Sequence, residues 1–174
     1  MTSKATLMTW MINIKRLNTD AIIWVKALTP EHFNDGKLLF REYVNALPFV
    51  LNFQDIEYEL ANIATMYSPP KGALLLAYVN NTAIACTGVR KLDSETAELK
   101  RMFVQSKYRG QKIGRQLMQL ALQVAKELGY QFIKLDSVRE MEAALKLYRA
   151  YGFKETGAYC YNPLPTAVYM EKQL

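Results

Sequence analysis

A basic turn containing glycine, at residues 108–115, carries the residues best suited to chemistry. Its sequence, Tyr-Arg-Gly-Gln-Lys-Ile-Gly-Arg, follows an apolar strand-like run at 99–104 and opens an amphipathic helix pattern. The first turn of a helix leaves backbone N–H groups unpaired at the positive end of its dipole, and glycine lets backbone approach a phosphate closely. Arg109, Lys112 and Arg115 add positive charge. The turn therefore predicts an anion site, and an exposed basic turn without a ligand is the alternative.

Two stretches of the chain resemble the GCN5-related N-acetyltransferase (GNAT) superfamily. The first reads Glu98-Leu99-Lys100-Arg101-Met102-Phe103-Val104 and then Arg109-Gly110-x-x-Ile113-Gly114, which is similar to the acetyl-CoA-binding core of that family. The second reads Leu147-Tyr148-Arg149-Ala150-Tyr151-Gly152-Phe153 and is similar to the family's LYxxxGF element. One departure is Lys112, where the family's turn more often has glycine. The resemblance implies transfer of an acetyl group from acetyl-CoA to a primary amine, by direct attack in a ternary complex.

The resemblance also implies a fold and a co-substrate site. The fold is the α/β GNAT fold, with a mixed, mostly antiparallel sheet of about six to seven strands flanked by about four helices. It forms one domain over residues 22–174, and residues 1–21 are expected to add an extra strand at 12–17 or a flexible arm. Coenzyme A is expected to bind at Met102, Phe103, Val104, Arg109, Gly110, Gln111, Lys112, Ile113, Gly114 and Arg115.

Two residues are expected to move protons. Glu98 resembles the strand glutamate that deprotonates the amine in some relatives, either directly or through water, and the alternative is a strand-edge carboxylate paired with Lys100 or Arg90. Tyr148 matches the tyrosine of the LYxxxGF element and is expected to protonate the leaving sulfur. Considered without the resemblance, Tyr148 has the spacing of a packed helix residue.

The acceptor pocket is expected between the N-terminal helices and the last hairpin. Its candidate residues are Tyr43, Phe53, Gln54 and Tyr67 on one side, with Tyr161 and Asn162 on the other. Residues 31–70 carry six acids against Lys37 and Arg41. This excess favours a small cationic amine or amino acid as acceptor, and solvated helix faces are the alternative explanation.

Composition excludes several other classes of function. The chain has 174 residues, a net charge of +6 and no run approaching the roughly 18 apolar residues of a membrane span. The cluster of basic residues within 99–126 is confined to one part of the chain and has no nucleic-acid-binding motif, so no nucleic acid is expected as partner. Cys86 and Cys160 lack metal-ligand spacing, which predicts reduced thiols in a cytoplasmic protein and no metal. A homodimer is possible, and an idle acyl-CoA-binding module is the alternative to an enzyme.

Hydrophobic periodicity and turn residues predict the elements that position these groups. Thr29-Pro30-Glu31 is expected to start a helix, Asn80-Asn81 to form a tight turn, and Gly129 and Gly152 to end helices. The adjacent polar residues Lys100 and Arg101 predict a β-bulge, or else a strand buried on both faces. The predicted strands are 22–27, 73–79, 82–92, 97–104, 131–136, 153–161 and 167–172, and the predicted helices are 29–44, 55–66, 113–128 and 141–151.

Overall fold

The computed structural model describes residues 15–17, 20–51 and 54–174. This part of the chain has the expected α/β fold, with helices on both faces of a mostly antiparallel sheet. The strands are β1 (Lys15–Leu17), β2 (Asp20–Lys26), β3 (Ala73–Val79), β4 (Thr82–Lys91), β5 (Thr96–Val104), β6 (Phe132–Val138), β7 (Lys154–Thr156) and β8 (Ala167–Gln173). The helices are α1 (Pro30–Asn45), α2 (Ile56–Ala61), α3 (Ile63–Met66), α4 (Ile113–Glu127) and α5 (Glu142–Ala150).

The sheet opens at its single parallel pair. Its strand order is β1-β2-β3-β4-β5-β6-β8-β7, and every neighbouring pair is antiparallel except β5 and β6. Residues 96–98 of β5 pair with 132–134 of β6, and the pairing ends there. Beyond that point the two strands separate, which leaves a cleft between their C-terminal halves.

Each face of the sheet has its own hydrophobic core. Leu117, Ala121 and Val124 of α4 pack with Leu145 of α5 on one face. Phe33 and Phe40 of α1 pack with Leu60 of α2 and Ile63 of α3 on the other face. The cleft between β5 and β6 is therefore bordered by α5 on one side of the sheet and by the N-terminal helices on the other.

The predicted starts and turns of the N-terminal half are present. Thr29 caps α1, since its side chain accepts a hydrogen bond from the His32 N–H at 3.3 Å. Asn80 and Asn81 have φ angles of 49° and 60°, as expected for a tight turn with two left-handed residues. The predicted helix at 55–66 is divided into α2 and α3, because Asn62 leaves the helical conformation and its side chain donates to the Tyr58 carbonyl.

Two other boundaries differ from the sequence prediction. The predicted strand at 153–161 is only Lys154–Thr156, since residues 157–165 contain Gly157, Pro163 and Pro165 and form an irregular segment. The short β1 pairs with β2 and supplies part of the extra strand expected at 12–17, of which 12–14 lie outside the described residues. In the described part of the chain, no helix has both the length and the apolar character that a membrane crossing requires.

Candidate active site

The predicted β-bulge is present on β5. Lys100 pairs with Gly88 of β4 and Phe103 pairs with Cys86, so two residues of β5 stand opposite the single Thr87. One of these two, Arg101, has a φ angle of 54°, which is the left-handed conformation. Because of the extra residue, Lys100 and Arg101 both face the N-terminal helices, whereas Met102 packs on the opposite face.

The bulge lies beside the cleft where β5 and β6 separate. Backbone and side chains from both strands, α5 and the segment after α1 line this cleft. Its lining residues are Tyr43, Phe49, Leu51, Gln54, Leu99, Lys100, Arg101, Met102, Leu135, Asp136, Ser137, Val138, Met141, Tyr148 and Asn162. Because residues 99–104 form no pairs with β6, their backbone groups on that side are open to a ligand, except the Val104 carbonyl, which accepts from Arg109.

The predicted anion site is a left-handed turn that leads into α4. Gly110 and Lys112 have φ angles of 79° and 65°, and no side chain of the described residues caps the start of the helix at Ile113. The first N–H groups of α4 are therefore available to an anion. A Cβ at Gly114 would contact only the Leu147 side chain, at 3.8 Å, so the backbone there is open to close approach. The left-handed Lys112 explains why glycine suits this position in the family's turn.

Two side-chain hydrogen bonds attach this turn to its surroundings. Arg109 Nε donates to the Val104 carbonyl at 3.1 Å, and its guanidinium lies 6.0 Å from the centre of the Phe103 ring. Tyr151 of α5 donates to the Arg115 carbonyl at 3.1 Å. The turn is thereby held between the end of β5 and α5, and the remaining N–H groups of Arg109 are left to interact with an anion.

Glu98 lies behind the cleft rather than in its lining. Arg90 Nε donates to Glu98 Oε2 at 2.7 Å, and the Tyr159 hydroxyl donates to Oε1 at 3.0 Å. Lys100 Nζ lies 3.4 Å from the same Oε1, and only 3% of the Glu98 side chain is exposed. From the sequence, ion pairing with Lys100 or Arg90 was the alternative to a role as base. Glu98 makes both of these pairs.

Asp136 is a carboxylate in the cleft that the sequence analysis missed. Lys100 Nζ donates to its Oδ1 at 3.1 Å, and Asn162 Nδ2 and Gln54 Nε2 donate to its Oδ2 at 3.0 and 3.4 Å. Burial raises the pKa of Asp136, but the Lys100 ammonium and the hydrogen bonds from Lys100 and Asn162 outweigh burial and hold that pKa below its usual value. Asp136 is therefore ionised at neutral pH.

Tyr148 reaches the cleft from the side opposite Lys100 and Asp136. It lies on α5, is 8% exposed, and its ring packs against Phe153 with centroids 6.0 Å apart. Burial, reinforced by Tyr43 and Asp136, raises the pKa of Tyr148 above that of a free phenol. Its hydroxyl makes no hydrogen bond to another residue of the described ranges, so it is available to a ligand in the cleft.

The predicted acceptor residues are brought together in part. Tyr43, Gln54 and Asn162 line the cleft. Tyr161 lies in the segment between β7 and β8 and is 76% exposed. Tyr67 is fully buried, outside the cleft lining, with its hydroxyl donating to Glu59. The prediction for Phe53 lies outside the described residues.

The acidic residues of the N-terminal helices have structural partners of their own. Glu57 pairs with Arg41, Glu59 pairs with Arg101, and Asp55 caps α2. Asp35 accepts from Tyr78, and Glu42 accepts from Gln105. None of these carboxylates is among the described residues that line the cleft. The acidic excess of residues 31–70 therefore lies outside the cleft, and Asp136 is the carboxylate in the described lining that an acceptor would meet.

Comparison with known proteins identifies similar sequences. A model of the Acetyltransferase (GNAT) family matches residues 37–153. An uncharacterized N-acetyltransferase of Schizosaccharomyces pombe is 35% identical over 147 residues, which covers 83% of this chain and 90% of that protein. The matched residues include the bulge of β5, the turn at 109–115 and Tyr148.

Solved structures share the fold. A GNAT-family acetyltransferase of Staphylococcus aureus superposes with a TM-score of 0.73 at 23% identity, over 88% of this chain and 99% of that chain. A putative acetyltransferase of Salmonella typhimurium, solved with its cofactor acetyl-CoA, superposes with a TM-score of 0.68 at 15% identity, over 87% and 93% of the two chains. At these identities the likeness is one of fold.

Proposed function

Because the chain belongs to the Acetyltransferase (GNAT) family, we propose that it transfers the acetyl group of acetyl-CoA to a primary amine by direct attack in a ternary complex. The observation that carries this proposal is the open cleft between β5 and β6, beside strand backbone at 102–104 that forms no pairs with β6, together with the uncapped start of α4. The strand backbone suits the pantetheine arm, and the turn at 109–115 suits the pyrophosphate.

The reaction makes one bond and breaks one. The amine nitrogen attacks the thioester carbonyl carbon, a tetrahedral oxyanion forms, and the carbon–sulfur bond then breaks with release of coenzyme A. Starting from an ammonium, the products are the N-acetylated amine, the coenzyme A thiol and one proton. The N–H of Met102, beside the bulge, is the proposed oxyanion donor, and the loss of one such donor typically lowers the rate about 100–1000-fold.

Tyr148 is the proposed general acid. Its raised pKa keeps the phenol protonated at neutral pH, and its hydroxyl has no hydrogen-bond partner within the described part of the chain. The leaving thiolate would then take the phenolic proton as the carbon–sulfur bond breaks, and solvent would restore the phenol.

Glu98 is the proposed final acceptor of the amine's proton, reached through a relay. Arg90, Lys100 and Tyr159 surround both of its carboxylate oxygens, so an amine in the cleft has no direct access to them. Lys100 Nζ lies 3.1 Å from Asp136 in the cleft and 3.4 Å from Glu98. In the proposed relay, the Lys100 ammonium gives one proton to Glu98 Oε1 and then takes the amine's proton on the cleft side, which restores the ammonium.

The acceptor, the location and the assembly are part of the same proposal. Tyr43, Gln54 and Asn162 are the proposed contacts of a small amine, with Phe53 and Tyr161 at the periphery of the pocket. The two free cysteines, one of them buried, fit a reducing compartment such as the cytoplasm. The proposed assembly is a homodimer, and sedimentation analysis tests it.

Calorimetric titration with acetyl-CoA, 3′-dephospho-CoA and the variant Arg109→Ala tests the proposal, followed by a screen of primary amines for thiol release. We expect micromolar binding, weakened in Arg109→Ala and unchanged in the control Lys126→Ala, whose side chain lies in the last turn of α4. Absence of acetyl-CoA binding would overturn the proposal. Binding without turnover of any amine would instead support the alternative of an idle acyl-CoA-binding module.

A further inference from the structure

One polar atom in the cleft has no partner. Gln54 Oε1 is buried and accepts no hydrogen bond from any described residue, whereas Gln54 Nε2 donates to Asp136 Oδ2 at 3.4 Å. The reverse orientation of the amide would place its oxygen against an ionised carboxylate, so the hydrogen-bond network fixes the carbonyl oxygen as the free atom. A buried acceptor without a donor is a site where a ligand N–H or O–H is stabilised.

The adjacent carboxylate has capacity left as well. The donors to Asp136 are Lys100 on Oδ1 and Asn162 and Gln54 on Oδ2, which together use three of about four acceptor positions on a carboxylate. The carbonyl oxygen of Asn162 already accepts from the Leu164 N–H at 3.1 Å. On this side of the cleft, Gln54 Oε1 has no donor and Asp136 Oδ1 has accepting capacity left, while the Gln54 and Asn162 amide nitrogens both point their bonded N–H at Asp136.

Resting on the proposed function, we infer that Gln54 Oε1 and Asp136 bind the nitrogen of the acceptor substrate, and that this substrate enters as a primary ammonium. A primary ammonium has three N–H donors and a positive charge, which match a neutral acceptor and a carboxylate side by side. A carboxylate, phosphate or sulfate group of a substrate would instead be repelled by the Asp136 charge, and the nearby Lys100 ammonium is already paired with Asp136 and Glu98. The pocket therefore selects a cationic nitrogen over an isosteric hydroxyl or an anionic group.

The position of this nitrogen site fits the transfer step. Asp136 lies on β6 and Gln54 precedes α2, both on the face of the sheet that carries the N-terminal helices. Met102 and Tyr148 line the same cleft from the α4 and α5 face. A nitrogen bound between Gln54 and Asp136 therefore approaches a thioester between the strands from one side. Tyr148 lies on the other side, where it can protonate the leaving sulfur.

The first experiment measures acceptor kinetics on a panel of straight-chain amines, amino acids and arylalkylamines by thiol release, and continues with the amine of highest turnover. We expect Gln54→Leu to raise the KM of that amine at least tenfold, and Asp136→Asn to lower kcat/KM at least thirtyfold. The dissociation constant of acetyl-CoA should change less than twofold in both variants and in the control Gln123→Leu, a surface position on α4. Far-ultraviolet circular dichroism checks that each variant is folded, and Gln54→Met replaces Gln54→Leu where it is not.

A second measurement separates recognition of charge from general packing. The alcohol of the same carbon skeleton is tested as an inhibitor of wild type, and we expect it to bind at least tenfold more weakly than the amine. This preference should disappear in Asp136→Asn. Unchanged amine KM in Gln54→Leu together with an unchanged preference in Asp136→Asn overturns this assignment and leaves the proposed function in place. If the protein binds acetyl-CoA but acetylates none of the amines, both this assignment and the proposed function are overturned.

Discussion

Glu59 on α2 holds Arg101 at the bulge of β5. Arg101 Nη2 lies 2.6 Å from Glu59 Oε2, and only 4% and 5% of the two side chains are exposed. Tyr67 donates a hydrogen bond from its hydroxyl to the same carboxylate. The Tyr67 ring also packs on Gly88, the residue opposite Lys100, where a Cβ would overlap the ring. Arg101 is left-handed, a conformation disfavoured for a residue with a side chain, so this buried ion pair fixes the geometry of the bulge.

Loss of Glu59 should therefore destabilise the protein strongly. We expect Glu59→Ala to lower the free energy of unfolding by about 3–5 kcal/mol, because it leaves Arg101 buried without its partner. Urea denaturation measures the change. The control is Glu57→Ala on the same helix, whose ion pair with Arg41 is exposed and should contribute about 0–1 kcal/mol. Equal effects of the two variants would contradict the role of Glu59.

The same ion pair predicts how stability depends on pH. Burial raises the pKa of Glu59, but Arg101 and the hydrogen bond from Tyr67 outweigh burial and hold that pKa below its usual value of 4.5. A carboxyl whose pKa is lower in the folded state stabilises the fold above its unfolded pKa and loses that contribution as pH falls through the folded value. We expect unfolding free energies to decline below about pH 4.5, and to decline less steeply in Glu59→Gln.

Local sequence was sufficient to predict the elements on which the proposed co-substrate site rests. The glycines and basic residues at 109–115 specify a left-handed turn into α4, and both the turn and the helix are present. The bulge was predictable because Lys100 and Arg101 are consecutive polar residues in an apolar strand, and only an extra residue places both on one face. These features depend on residues close together in the chain.

Local sequence was not sufficient to predict the acceptor side. Asp136 meets Lys100 across 36 positions of sequence, because β5 and β6 are neighbours in the sheet. It meets Gln54, which precedes α2, across 82 positions. The alternation of β6 did carry a signal, since Ile133 and Leu135 are buried in the core on one face and therefore place Asp136 on the other. Which residues Asp136 would meet there depends on tertiary structure.

Gly114 should matter to co-substrate binding and not to the fold. A Cβ there has only ordinary contact with Leu147, and alanine has the higher helix propensity, so Gly114→Ala should leave stability unchanged or raise it by about 0.5–1 kcal/mol. The methyl group would stand where the backbone approaches the pyrophosphate, so acetyl-CoA should bind at least tenfold more weakly by calorimetry. Gly157→Ala, another position with space for a Cβ, is the control. Unchanged affinity in Gly114→Ala would place the pyrophosphate elsewhere.

Replacement of Glu98 tests the proton relay. Glu98→Gln keeps a side chain that can accept from Tyr159 but cannot take up a proton in exchange with Lys100. We expect kcat for the best amine to fall about 100-fold, the usual contribution of a general base, while the acetyl-CoA dissociation constant stays within twofold. The variant for comparison is Tyr159→Phe, which removes one hydrogen bond to Glu98 but leaves the Glu98 side chain unchanged. Wild-type turnover in Glu98→Gln would remove Glu98 from the mechanism.

Replacement of Tyr148 tests the general acid. Tyr148→Phe removes the hydroxyl and keeps the ring that packs against Phe153, so the fold and acetyl-CoA affinity should be retained while kcat falls about 100-fold. The control is Tyr130→Phe, a part-buried tyrosine outside the cleft that loses only the hydrogen bond to the Lys71 carbonyl. Because burial raises the pKa of Tyr148, wild-type kcat should also show no loss of this acid between pH 7 and pH 10, the usual pKa of a phenol. A decline of kcat with an apparent pKa inside that interval, absent from Tyr148→Phe, would show that the phenol ionises more readily than its burial allows.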